Sequence, residues 1–437
     1  MQIAADKNNW IAERLIALGE ILVEYQSLWQ PRAFHHRQLL WEAEHPELAA
    51  YLRAMPYQQA VDLQTDDNAL LELLSAYLPV ANILRELIRL PLSSIKENTA
   101  KEKTVYPPAL INEIPGRKLA QIEAFLANTH CENEAIIDWC SGKGHLARLA
   151  AYHYLRASSC TYSGIKRKPG STNTCTNLQI TGLEWNANLV AAGNNFAEQQ
   201  KLPISVHHVD VMSDQVDSYL EHDSQILALH ACGDLHIRLL EKTVEHRCKT
   251  LSLSPCCYHL ITDEYYQPLS NLMRDRVSRG SAPRLTRDNL RTAVQQTVTA
   301  PGYARRQRET LQAWRLGFDL LQRQLSGVDE YLALPTLPSS LTKLSFVVFC
   351  RHVAALKGII LPEAVDWSYW ENGGWQRFEE VTKLDLARLA FRRAMEIWLV
   401  LDRAQYLQEQ GYQVDVSQFC DQQLTPRNIF LAANITK

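Results

Sequence analysis

One stretch of the chain combines an acid with small residues in a spacing that suits ligand binding. In Ala135–Leu149, AIIDWCSGKGHLARL, an apolar run reaches Asp138, turns through Gly142 and Gly144, and returns to an apolar pattern typical of a helix. Glycine has no Cβ and tolerates positive φ, so backbone can approach a ligand closely at such a turn. The N-terminal end of the following helix favours negative charge or polar acceptors. The stretch predicts a strand, a tight loop and a helix.

Two ligand classes, and an ordinary tight turn, are compatible with this loop. Gly142 to Ala147 fits the dinucleotide pattern G-x-G-x-x-A. Asp138 stands at the end of the strand, ahead of the glycines, where a carboxylate is badly placed for a pyrophosphate. A carboxylate there suits a cationic cofactor, and S-adenosylmethionine carries an ammonium and a sulfonium group. The acid therefore favours S-adenosylmethionine over NAD.

The motifs DWCSGKGHLAR, HACGD and SPCCYH together resemble the methyltransferase domain of the GSTCD-like family of S-adenosylmethionine-dependent enzymes. A more distant likeness is to eukaryotic tRNA ribose methylases that carry a similar Cys-Cys element. The resemblance is specific across Asp138–Leu260 and again at Leu424–Ala433. Cys140 departs from the methyltransferase pattern D-x-G-x-G-x-G by occupying the first glycine position. Either the loop is wider there, or the thiol packs as a small apolar group.

Alternating apolar runs and helical segments predict a parallel, doubly wound sheet whose strand ends carry the site. Glu184, after the second strand, is expected to accept from ribose hydroxyls, with Trp185 over the adenine and Asp210 near its amino group. The strands are predicted near Ile136–Trp139, Leu178–Leu183, Ile204–Val209, Ile226–Leu229 and Thr250–Leu253. The expected cofactor-binding residues are Asp138, Cys140, Gly142, Lys143, Gly144, Glu184, Trp185, Asp210 and His230.

The fourth and fifth strands end in polar motifs that predict a reaction centre, with catalytic candidates Asp234, Cys256, Cys257, Tyr258 and His259. Methyl transfer is a direct displacement, so the protein must align the nucleophile and accept its proton. An oxygen or nitrogen nucleophile would use His259 or Asp234 as the base. A pyrimidine carbon would instead need a cysteine nucleophile, for which Cys232 and Cys256 are the candidates. We favour a nitrogen or oxygen nucleophile, because a Cys-Cys pair can simply shape a tight turn.

The amino-acid composition limits the number of domains and the kind of protein that this chain can be. The chain has 437 residues, 46% of them hydrophobic, and a net charge of −3, which indicates two or three domains and implies no partner by itself. The N-terminus lacks a signal peptide pattern, and Leu344–Pro362 is too short and too interrupted to span a membrane. Ten scattered cysteines indicate reduced thiols in a cytoplasm. No C-x2-C pair exists, so no metal is expected.

The chain is predicted to be a Rossmann-like class I methyltransferase sheet of the α/β class, with an all-α N-terminal region and a large helical insertion after the fifth strand. The expected divisions are residues 1–105 (all-α), 106–262 (core), 263–383 (insertion) and 384–437 (last crossover helix and closing strand pair). Ser158–Asn177, rich in Ser, Thr and Gly, is expected to be a surface insertion. An antiparallel pair, Tyr412–Val416 and Asn428–Ala433, closes the pattern.

Arg274–Arg315 contains ten arginines, no lysine and three acids. Arginine without lysine favours bidentate phosphate contacts, and a helical arm with internal salt bridges is the alternative. This segment and the likeness to tRNA ribose methylases together predict that the substrate is a structured RNA, either tRNA or rRNA. Its expected contacts are Arg305, Arg306 and Arg308. A protein or small-molecule substrate, a degenerate binding scaffold and an NAD-dependent enzyme remain alternatives.

Overall fold

The structure, a computed structural model, describes residues 9–92, 104–129, 135–157, 178–295 and 302–435. The predicted surface insertion at Ser158–Asn177 lies outside these residues. Among the described residues, no helix combines the length and the apolar character needed to cross a membrane.

A mixed seven-stranded sheet forms the centre of the fold, in the order β3-β2-β1-β4-β5-β7-β6. Strands β1 to β5 are parallel, and β7 runs antiparallel to both β5 and β6. This arrangement confirms the predicted Rossmann-like sheet and its closing antiparallel pair. The strands are β1 Ala135–Trp139, β2 Gln179–Glu184, β3 Ile204–His208, β4 Gln225–Cys232, β5 Thr250–Cys256, β6 Tyr412–Gln418 and β7 Ile429–Ile435.

Eighteen α-helices lie in the described part of the chain, together with 3-10 turns at Asp214–Tyr219 and Ser339–Lys343. In chain order they are α1 Trp10–Glu24, α2 Gln26–Trp29, α3 Trp41–Glu44, α4 Pro46–Ala54, α5 Tyr57–Leu63, α6 Asp67–Leu74, α7 Val80–Leu87, α8 Pro108–Ile111, α9 Gly116–Leu126, α10 His145–Ala157, α11 Ala187–Gln199, α12 Asp234–Glu245, α13 Asn271–Ser278, α14 Arg287–Ala293, α15 Gly302–Ser326, α16 Phe346–Lys357, α17 Trp367–Leu389 and α18 Arg392–Glu409.

The chain divides into two compact units, and the division differs from the predicted domain boundaries. One unit holds the sheet and comprises residues 1–20, 89–294 and 395–437. The other is helical and comprises residues 21–88 and 295–394. The predicted N-terminal region and the predicted insertion are thus each shared between the two units. Within the helical unit, α17 packs against α15 and α5, so the two separate chain segments form one core.

Local sequence explains most helix boundaries. Pro79 stands at the N-cap of α7, as expected for a residue that lacks an N–H and interrupts an apolar helical pattern. The long helical pattern at Leu384–Gln410 is broken at Ala390 and Phe391, between α17 and α18. No proline or glycine marks that break, so periodicity alone could not have located it.

The loops that follow β4 and β5 are locked together at Gly233. Its N–H donates to Cys256 O at 3.2 Å, and the N–H of Asp234 donates to Leu260 O at 3.0 Å. Gly233 has φ +56° and ψ −125°, which side chains rarely adopt, and a Cβ there would lie 1.9 Å from Leu260 O. Only glycine allows the two loops to approach this closely.

We therefore expect Gly233→Ala to lower the free energy of unfolding of the sheet unit by about 2–5 kcal/mol, from backbone strain and overpacking together. Gly280→Ala is the matched control, because Gly280 has φ +72° but a Cβ there would meet nothing within 4 Å. It should cost only the strain, about 1–2 kcal/mol. Urea unfolding measures both free energies. Equal losses would show that the close approach of Gly233 to Leu260 adds nothing to the cost of the substitution.

Candidate functional site

Asp138 fixes the glycine loop after β1 through hydrogen bonds to its buried carboxylate. One carboxylate oxygen, Oδ2, accepts from Ser141 Oγ at 2.7 Å and from the backbone N–H of Ala147 at 3.2 Å. The side chain is 2% exposed. Burial raises the pKa of Asp138 to about 6, with a smaller contribution from the charge of Glu184. The acid expected to face the cofactor therefore also anchors the loop and the first turn of α10.

Glu184, at the end of β2, also fixes this loop through hydrogen bonds. Its Oε2 accepts from the N–H of Gly142 at 2.9 Å, and its Oε1 accepts from the N–H of Asn186 at 2.9 Å. The carboxylate thus lies beside the glycine turn, where the sequence places an acceptor for ribose hydroxyls. Asp138 and Glu184 together put two nearly buried acids at this edge of the sheet.

A buried imidazole beside an open glycine distinguishes the loop from an ordinary turn. Gly142 has φ +60°, and a Cβ added there would meet no atom within 4 Å. His145, the first residue of α10, is 7% exposed, yet neither ring nitrogen has a hydrogen-bond partner among the described residues. Burial and the charges of Lys118, Arg148 and Lys143 lower the pKa of His145 to about 4, so its ring is neutral. Sequence reasoning missed His145, because a helical histidine gives no sign of lacking partners.

Strained backbone gathers at the carboxyl ends of the strands. Of six non-glycine residues with positive φ among the described ones, three lie there: Cys140 at +59°, His230 at +73° and Cys257 at +47°. Such conformations are costly and cluster at functional sites. Cys140 thus adopts a left-handed backbone conformation that favours glycine. Burial raises the pKa of its thiol to about 12, so the thiol stays protonated.

The remaining predicted cofactor residues lie around the loop with varied exposure. Trp185 is 72% exposed, and Asp210 is exposed with Oδ1 accepting from the N–H of Met212. The exposed Lys143 forms an ion pair of 3.6 Å with Glu113. His230 hydrogen-bonds to Gln121 Oε1 at 3.0 Å, which ties β4 to α9. These positions do not test the predicted contacts of Trp185, Asp210, Lys143 and His230 with the cofactor, which remain predictions.

The catalytic candidates separate into accessible and structural groups. Tyr258 is 0% exposed, its hydroxyl donates to Pro255 O, and burial raises its pKa, so it belongs to the core rather than the reaction centre. The carboxylate of Asp234 accepts from both the N–H and the hydroxyl of Thr262 and fixes the chain after β5. His259 is half-buried, and its Nδ1 has no partner among the described residues.

Three thiols meet at the ends of β4 and β5. The sulfur atoms of Cys232, Cys256 and Cys257 all lie within 4.8 Å of one another. Hydrogen bonds from the other two thiols lower the pKa of Cys257 and leave the pKa of Cys256 raised. The pKa of Cys232 rises to about 11. The two predicted nucleophiles, Cys232 and Cys256, thus share one cluster of hydrogen-bonded thiols with Cys257.

The arginine-rich segment is divided between the units, and half of its arginines are bound within the protein. Arg274–Val294 belongs to the sheet unit, and the described part of the remainder belongs to the helical unit. Five arginines donate to protein groups, namely Arg274, Arg276, Arg279, Arg287 and Arg315. Arg305, Arg306 and Arg308, near the start of α15, are exposed.

The raised pKa of Asp138 predicts a specific dependence of stability on pH. The folded state binds the carboxyl proton of Asp138 more tightly than the unfolded chain does, where the pKa of this group is 3.8. The resulting stabilisation is complete below about pH 4 and is lost as the pH rises through about 6. From about pH 3 to about pH 7, wild type should lose about 3 kcal/mol relative to Asp138→Asn, which cannot ionise. Urea unfolding at both pH values measures this difference, and a pH-independent difference would contradict the assignment.

Comparison with known proteins identifies the class of this domain. Residues 116–264 match a family model described as a methyltransferase domain. No curated protein sequence matches the chain.

Solved structures resemble the chain only weakly. A geranyl diphosphate methyltransferase in complex with GPP and sinefungin is 13% identical over 38% of this chain and 54% of its own, with a TM-score of 0.23. The geranyl diphosphate C-methyltransferase of Streptomyces coelicolor A3(2) is 12% identical over 46% of this chain and 65% of its own, also at 0.23. A possible exported protein of Bordetella parapertussis is 12% identical over 91% of this chain and 97% of its own, at 0.28.

The chain thus spans between half and two thirds of the two methyltransferases, and scores this low carry no argument about function. The family match, with the Rossmann-like sheet and its glycine loop, decides the class. Residues 116–264 form a class I methyltransferase domain of the S-adenosylmethionine-dependent kind.

Proposed function

We propose that this chain is an S-adenosylmethionine-dependent methyltransferase of the GSTCD-like family, which methylates a nitrogen or oxygen atom of a structured RNA in the cytoplasm. The observation that carries the proposal is the pair of buried carboxylates, Asp138 and Glu184, around an open glycine loop. Two acids there repel a pyrophosphate and favour a cationic ligand, which supports S-adenosylmethionine over NAD.

The residues present fit such a cofactor. Glu184 offers a carboxylate acceptor for ribose hydroxyls, and His145 offers a buried neutral ring whose nitrogens have no partner in the described part of the chain. A Cβ at Gly142 would meet no atom within 4 Å, so the loop leaves room beside that residue. When bound, S-adenosylmethionine supplies an electrophilic methyl group.

The protein's own part in the reaction is to orient the nucleophile and to accept a proton. His259 is the best-placed acceptor, because its Nδ1 is free among the described residues while the Asp234 carboxylate is bound to Thr262. His259 follows β5, and the glycine loop follows β1, so both lie at the carboxyl edge of one sheet. This supports a nitrogen or oxygen nucleophile, which needs a base and no cysteine.

The RNA substrate is supported by the exposed arginines of α15. Arg305, Arg306 and Arg308 make no ion pair within the part of the chain that the structure describes, whereas the exposed Arg279 pairs with Asp275. Three unpaired guanidinium groups near a helix N-terminus suit phosphate oxygens. A small-molecule or protein substrate would give these side chains no such role.

Cofactor binding is tested with Glu184→Gln, which removes the charge but keeps an acceptor for the N–H of Gly142. Calorimetric titration with S-adenosylhomocysteine should show affinity at least about tenfold weaker, since hydrogen bonds to a charged acceptor contribute about 1.5–3 kcal/mol. Glu198→Gln, an exposed acid on α11, is the control and should bind like wild type. Unchanged affinity in folded Glu184→Gln would remove Glu184 from the site, and tight NADH binding would favour a dehydrogenase.

RNA binding is tested by its dependence on salt. Replacing Arg305, Arg306 and Arg308 together with Ala should flatten the log–log slope of affinity against salt by about two to three units, if each contacts a phosphate. Binding of S-adenosylhomocysteine should not change.

The matched control removes three exposed cations outside the arginine-rich segment, Lys343, Arg351 and Lys357, and should keep the wild-type slope although it loses the same charge. Failure of the wild-type protein to retain bulk RNA at about 50 mM salt, where phosphate contacts are strongest, would exclude RNA as the substrate.

A further inference from the structure

Sequence spacing predicts no metal, yet the fold brings three cysteines to one point. Cys232 ends β4, Cys256 ends β5, and Cys257 follows directly. The sulfur atoms of Cys232 and Cys256 are 3.3 Å apart, and all three lie within 4.8 Å of one another. The cluster is assembled by the pairing of neighbouring strands, because Cys232 lies beside Cys256 in the ladder.

The backbone that carries these thiols is fixed by hydrogen bonds within the protein. The Gly233 N–H donates to Cys256 O, and the Asp234 carboxylate accepts from Thr262. These bonds fix the ends of β4 and β5 and the loops that follow them to one another. Cys257 is held at φ +47°, a conformation that surrounding structure must enforce. The three sulfur positions are therefore preorganised.

We propose that Cys232, Cys256 and Cys257 form a binding site for one zinc ion. Zinc–sulfur bonds of about 2.3 Å in a tetrahedron place the sulfurs about 3.8 Å apart, and the observed separations need only small adjustments to reach that value. Thiolates select soft metals, and an iron–sulfur cluster takes four cysteines, whereas this group has three among the described residues.

Three protein ligands leave the fourth coordination position of the zinc open, as in catalytic rather than structural zinc sites. The site lies at the carboxyl edge of the sheet, on the strand next to β1, whose glycine loop forms the cofactor site. A hydroxyl, amine or thiol bound at the open position would lose its proton more readily than in water. The zinc site would thus give the methyltransferase domain a means of activating its nucleophile.

The test is the metal content of the full-length protein, purified with a phosphine reductant and an affinity tag that contains no histidine. We expect one zinc per chain by elemental analysis. Replacing zinc with Co²⁺ should give sulfur-to-cobalt charge-transfer absorption and the visible bands of tetrahedral cobalt. In chelator competition, Cys257→Ser and Cys232→Ser should each weaken zinc binding by more than about 100-fold, beyond the effect of changing an outer-shell partner.

Cys350→Ala is the control, because it removes a thiol from the helical unit and should keep one zinc. Circular dichroism verifies that each variant is folded. Cys257 is half-buried, so Cys257→Ser keeps the test usable if changes at the buried Cys256 prevent folding. A wild-type protein that binds no stoichiometric zinc, with three thiols that react equally with and without added zinc, overturns the proposal. Unchanged zinc affinity in folded Cys257→Ser does the same.

Discussion

Two carboxylates from neighbouring strands hold the glycine loop, and the rest of the site depends on this arrangement. Asp138 fixes the loop to the start of α10, while Glu184 fixes the N–H of Gly142. Burying two acids near each other is unfavourable, which is why the pKa of Asp138 is raised. The two carboxylates also give this edge of the sheet a negative potential.

The sheet could be predicted from the sequence because its signals are local. Each parallel strand is a short apolar run bounded by polar or small residues, and all seven predicted strands are present within a few residues of their expected bounds. Glu184 was identifiable for the same reason, since an acid at a strand end lies at the ligand-binding edge. Cys140 was recognisable as a departure, and its positive φ shows that the loop keeps its shape without glycine.

Features that depend on distant pairing could not be predicted. The helical unit joins residues 21–88 to 295–394, and no composition change marks either boundary. Tyr258 follows a strand end, yet its side chain packs in the core beside Arg403. The thiol cluster depends on the register of β4 against β5, which spacing along the chain does not encode. In the sequence His145 is an ordinary helical residue, and only the structure shows that its buried ring has no partner within the described ranges.

The position of β7 has a consequence for how the protein is made. This strand follows every other strand in the chain, yet it lies inside the sheet, between β5 and β6. During vectorial synthesis on the ribosome, β5 therefore has an unpaired edge until residues 429–435 have emerged. An exposed edge strand is a template for association with other chains. The β5 edge is therefore open to mispairing until β7 inserts.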